Sequence, residues 1–95
     1  MIRFEWDTLK NRRNFQKHGV SFEEAESVFS DPNAKLIADP DHSQEEDRFV
    51  LLGLCKNLRT LVVCHCYRKS DKTIRIISVR KATKREQKMY WEGLK

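Results

Sequence analysis

Three side chains in the carboxy-terminal half have types suited to chemistry: the imidazole of His65, the guanidinium of Arg80 and the phenol of Tyr90. His65 stands in Cys64-His65-Cys66, which has the look of a metal-ligand cluster. In a strand the two thiols face one way and the imidazole the other, and no CxxC or HxxxH pair supplies further ligands. The same alternation separates a Cys-His nucleophilic pair. The glycines are isolated at 19, 53 and 93, so no GxSxG elbow or Gly-rich phosphate loop exists. No metal and no cofactor is expected, and the three cysteines read as small apolar or reduced residues rather than a disulfide framework.

Basic groups beside groups that can move protons suit RNA. The ribose 2′-OH can attack the adjacent phosphate, so a protein needs only to hold the backbone, stabilise charge on the phosphorane and assist two proton transfers. Arginine fits the charge role through its bidentate fork, and His65 or Tyr90 is the candidate for proton transfer. The charge distribution agrees. Residues 1–48 carry 7 basic and 11 acidic side chains, whereas residues 49–95 carry 12 and 3, and such a one-sided field suits a polyanion or an acidic protein. Six Lys or Arg side chains fall within IRIISVRKATKREQKMY, residues 74–90.

The elements that must position these groups follow from patterning. At 95 residues the chain has the length of one domain with one core, and no window approaches the ~20 apolar residues of a membrane span. Without an apolar h-region at MIRFEWDTLK, a cytoplasmic protein is expected. IRFEW reads as a strand. TLKNRRNFQKH reads as a helix capped by Asp7 and closed by Gly19, with a poor apolar stripe. VSFEEAESVFSDP reads as a second helix, with a Ser21–Glu24 capping box and a stop at Asp31-Pro32. AKLIADP reads as an edge strand, followed by an acidic turn, DPDHSQEED. Three strands, RFVLLGLC, TLVVCHCYR and TIRIISVRK, are joined by hairpin-length KNLR and KSDK. ATKREQKMYWEGL closes the chain as a helix with a Thr83–Glu86 capping box and an apolar side of Tyr90, Trp91 and Leu94. The order β-α-α-β-β-β-β-α defines an α+β fold, a mainly antiparallel sheet with helices packed against it.

Alternation in the last strand puts Ile74, Ile76, Ser78 and Arg80 on one face and Arg75, Ile77 and Val79 on the other, unless a bulge intervenes. Arg75 is therefore expected away from Arg80, which lies at the sheet rim where strand turns into helix.

Several segments together, FEWDTLKNRRNFQKHGVSFEEAESVFSDP, Arg48 followed by Gly53, LVVCHCYR and IRIISVRKATKREQKMY, resemble the BrnT family of type II toxin–antitoxin toxins. The resemblance implies a RelE-like fold, a ribonuclease that inhibits translation, and a partner antitoxin, BrnA, that also binds operator DNA. On it, Lys17, His18 and Gly19 match the family's KHG, Arg48 its strand-start arginine, and Arg75, Arg80, Glu86 and Tyr90 its carboxy-terminal signature. The expected site is then Arg80 for transition-state charge, His65 or Tyr90 for protons, Arg48 and Arg68 as phosphate ligands, and Lys81, Lys84, Arg85 and Lys88 along the RNA backbone. The alternative is a non-catalytic basic module that binds nucleic acid or antitoxin within a repressor complex.

Overall fold

The structure, a computed structural model, describes residues 2–38, 48–68 and 72–94. The acidic turn, residues 39–47, and residues 69–71 of KSDK lie outside the described residues.

Strand β1 (Arg3–Glu5) leads into α1 (Thr8–His18) and a short α2 (Phe22–Glu26) that tightens into a 3-10 turn (Ser27–Ser30). Four strands follow, β2 (Lys35–Ile37), β3 (Phe49–Leu54), β4 (Thr60–Arg68) and β5 (Thr73–Lys81), and α3 (Lys84–Glu92) ends the chain. The Asp7 carboxylate accepts from the Leu9 and Lys10 amides at 2.8 and 3.1 Å, giving α1 its first turn two satisfied donors. Gly19 ends α1 at φ 71°, where a Cβ would strain the chain, and donates its N–H to Phe15 O. Thr83 and Glu86 form the full reciprocal capping box of α3. At α2 only half of the expected box forms. The Ser21 hydroxyl caps Glu24 N, but the Glu24 carboxylate accepts instead from Arg59 Nε at 2.8 Å and Cys55 Sγ, fastening α2 to the β3–β4 turn.

The sheet is mixed, in the order β1-β5-β4-β3-β2, with β1 parallel to β5 and the remaining pairs antiparallel. One face is sealed by α1 and α2 over a core of Val20, Phe22, Ala25, Val28, Leu61, Val63, Ile76 and Val79. Gly53 lets the 3-10 turn close onto this face: a Cβ there would stand 2.8 Å from both Ala34 Cβ and Val28 Cγ1. Among the described residues, the opposite face is covered at one end, where Tyr90 of α3 and Ala82 meet Val50, Leu52 and Val62. Trp91 and Leu94, expected on the apolar side of α3, are 49% and 40% exposed, and Tyr90 alone of the three is buried.

Pairing of β1 stops at Glu5, opposite Arg75, so among the described residues the rest of β5 has no strand on that side. The buried Asn14 of α1 takes the strand's place. Its Nδ2 donates to Val79 O at 2.8 Å and to Val20 O at 3.0 Å, while its Oδ1 accepts from Val79 N at 3.1 Å. Those bonds satisfy the buried edge of β5 and fix α1 against it. None of the described helices is long and apolar enough to cross a membrane.

Candidate nucleic-acid interface

The pairing of β4 with β5 contains one irregularity that decides where the arginines go. Cys64 pairs with Ser78, but His65 pairs with Ile76, leaving Ile77 as an extra residue in β5. Alternation therefore restarts at this bulge. Ile76 and Val79 both enter the helix-covered core, and Arg75, opposite Cys66, comes to the same face as Arg80, opposite Val62. The expected separation of Arg75 from Arg80 does not hold. The two positions are four β4 residues apart, roughly 13 Å along the strand.

Three rows of this face lie beyond the cover of α3: Arg3, Thr73 and Arg68, then Glu5, Arg75 and Cys66, then Ser78 and Cys64. Glu5 accepts from Arg75 at 2.7 Å and stands 3.9 Å from Arg68, so it ties two cations of adjacent strands together. All three side chains stay between 33% and 51% exposed. Cys64 and Cys66 point to this face and His65 to the other, as the strand alternation requires.

At the rim, the Arg80 guanidinium donates from both terminal nitrogens to the two Glu86 oxygens at 2.7 and 2.9 Å. This fork hydrogen bond, aided by the Thr83 amide and opposed by burial, pulls Glu86 down to about 2. Glu86 is thus a fixed anion that orients Arg80, whose side chain remains 28% exposed.

The two expected proton carriers are elsewhere. His65 is completely buried, its ring edge-on to Phe29 at 4.8 Å and to Tyr67 at 5.4 Å. Nδ1 lies 3.3 Å from Val63 O, Nε2 has no hydrogen-bond partner among the described residues, and burial pushes the imidazole's pKa down. It is a neutral core residue with no route to a phosphate in this conformation. Tyr90 is also buried and donates its phenol to Asp31 Oδ2 at 2.6 Å. Burial, then this bond, raise it to about 12. Asp31 also accepts from the Leu54 and Asn33 amides, so the Tyr90 contact anchors α3 to the corner after the 3-10 turn.

Of the expected RNA ligands, Arg68 is on the open face and Arg48 sits half-buried immediately before β3. Lys81 is exposed at the end of β5, with its ammonium beside Gly19. Lys84, Arg85 and Lys88 are exposed on α3, and Lys88 stands 3.9 Å from Glu92.

A second basic surface was not expected. Lys10, Arg13, Lys17 and His18 of α1 line a groove of about 240 Å³ with Asn14, Ile77 and Ser78. Their spacing, i, i+3, i+7 and i+8, puts them on one helix side. That periodicity was present in TLKNRRNFQKH, but it is polar rather than apolar, and so does not register as a buried face. The groove reaches the open face at Ser78, and Arg80 is near enough for its charge to act on His18.

This fold, a five-stranded mixed sheet sealed by helices on one face, is similar to that of a small bacterial ribonuclease toxin. The crystal structure of the Brucella abortus ribonuclease toxin BrnT superimposes with a TM-score of 0.67 and 23% sequence identity, over 88% of this chain and all of that one. Residues 6–86 match the family described as ribonuclease toxin, BrnT, of type II toxin-antitoxin system. The chain belongs to the BrnT family, and membership in a toxin–antitoxin family implies an antitoxin partner. No curated protein matches it by sequence.

Proposed function

We propose that the protein is a metal-independent endoribonuclease of RelE-like type, which cleaves mRNA in the cytoplasm and thereby inhibits translation. A BrnA-type antitoxin neutralises it and carries the pair to operator DNA. The observation that most supports this reading is the arginine-bearing open face, ending in the Arg80–Glu86 fork, in a chain of the BrnT family. Attack by the ribose 2′-OH needs no protein nucleophile. It needs a preorganised cation at the phosphorane, and Arg80, aimed by a carboxylate that stays charged, serves that role. Arg75 joins Arg48 and Arg68 in holding flanking phosphates, while Lys81, Lys84, Arg85 and Lys88 draw the polyanion in. Tyr90 and His65 support the fold rather than move protons.

The test is to map RNA ends after a brief pulse of expression and to repeat the cleavage with purified, antitoxin-free protein in EDTA. New 5′ ends that vanish when the scissile ribose is 2′-deoxy are expected. RNA left intact both with and without ribosomes would contradict the reading.

A further inference from the structure

A 2′-OH attack requires a proton acceptor, and the geometry removes the obvious ones. Glu86, held at about 2 by Arg80, is too weak a base at neutral pH. Tyr90 is raised to about 12 and committed to Asp31, and His65 is wholly enclosed. Among the described residues, His18 is the remaining imidazole. It is half-buried at the end of α1 and lines the groove that runs onto the bulge of β5.

We propose that His18 is a catalytic residue of the ribonuclease reaction, receiving the 2′-OH proton of a nucleotide whose phosphate lies between the α1 groove and Arg80. This rests on the ribonuclease reading above and adds the residue that this reading lacks. The His18 ring nitrogen takes the proton as the O2′–P bond forms and the P–O5′ bond breaks. The 5′ oxygen then takes a proton from water, and the imidazolium returns its own to solvent, leaving a 2′,3′-cyclic phosphate and a 5′-OH. Cations surround the position: Lys10, Arg13 and Lys17 on α1, Arg80 and Lys81 on β5, and Arg59, which reaches Gly19 O while paired with Glu24. Ser78 is the neutral polar neighbour. They would hold the phosphodiester and keep the imidazole in its unprotonated, accepting form. Consistent with this, burial, then Lys17, then Arg80 lower His18 from its ordinary 6.5, against the opposing pull of the helix C-terminus.

The experiment is single-turnover cleavage of an RNA oligonucleotide carrying a mapped site, from pH 5 to 8, for wild type, His18→Ala and His18→Gln. Affinity is measured in parallel on the 2′-deoxy analogue of that RNA, and folding by circular dichroism. Both variants should lose roughly 10²- to 10⁴-fold in cleavage while binding changes by less than about fivefold. Wild type should lose activity in acid, at a pH below the ordinary imidazole value of 6.5, the variants should lack that limb, and free imidazole should partly rescue His18→Ala. Variant cleavage within tenfold of wild type, or a cleavage loss matched by the affinity loss, overturns the proposal. If the variants fail to fold, a wild-type profile flat from pH 5 to 7 overturns it alone. Wild-type protein that leaves all RNA intact would instead bring down the ribonuclease reading itself.

Discussion

The two faces of the sheet differ far more than the sequences that build them. On the covered face, Val63, Ile76 and Val79 meet α1 and α2, and the polar Asn14 is there because it satisfies the edge of β5. On the open face, Arg68, Arg75, Ser78 and the two thiols Cys64 and Cys66 remain partly or fully exposed. Both sets come from alternating residues of the same two strands. A single extra residue, Ile77, re-phases β5, so the core keeps Val79 while the face keeps both Arg75 and Arg80. Which residues form a site is thus a property of pairing, not of one strand's pattern.

Neighbouring substitutions test this contrast most severely. Val79→Lys puts an unpaired charge into the sealed core and should cost more than about 4 kcal/mol in urea denaturation, whereas Ser78→Lys on the open face should stay within about 0.5 kcal/mol. Similar costs for the two would break the assignment of faces.

A smaller effect is expected at the strand edge. Asn14→Leu leaves the Val79 N–H and C=O without partners, for a loss of about 3 kcal/mol, and should raise hydrogen exchange at Val79.

The rim responds to pH. Glu86 has its folded pKa depressed from 4.5 to about 2, so the stability it contributes is fully present above 4.5 and is lost as pH falls toward 2. Glu24 and Asp31, also lowered, act in the same direction. An acid titration of stability should therefore be shallower between pH 4.5 and 2 in Glu86→Gln, which is already destabilised at neutral pH.

The smallest effect belongs to the covered histidine. His65→Phe removes an unpartnered Nε2 from a site already walled by Phe29, Phe49 and Tyr67. Stability should change by no more than about 1 kcal/mol and cleavage should not change. Loss of cleavage with the fold intact would return His65 to the site.

What could be read directly from the sequence was local. Asp7, Gly19 and the Thr83–Glu86 box act within a few residues, and each forms as its spacing predicts. The segments carrying the family resemblance also lie largely within the matched span, residues 6–86. What escaped depends on distant partners. Glu24 leaves its capping box because Arg59, 35 residues on, offers a stronger bond. The parallel pairing of β1 with β5 joins residues 3–5 to residues 73–75, and the bulge at Ile77 exists only in the register with β4. His65 looked available for chemistry because a strand pattern does not say which face the helices will cover. The basic stripe of α1 escaped because its pattern is polar, and its meaning depends on the bulge it lies against.

The central claim is that the open face performs RNA cleavage through Arg80, and the most direct measurement is cleavage and affinity of Arg80→Ala on the same RNA. The account predicts a cleavage loss of roughly 10²- to 10³-fold with only a severalfold loss of affinity, because a preorganised cation matters most where charge develops. Cleavage near the wild-type rate, or equal losses of cleavage and binding, would contradict it.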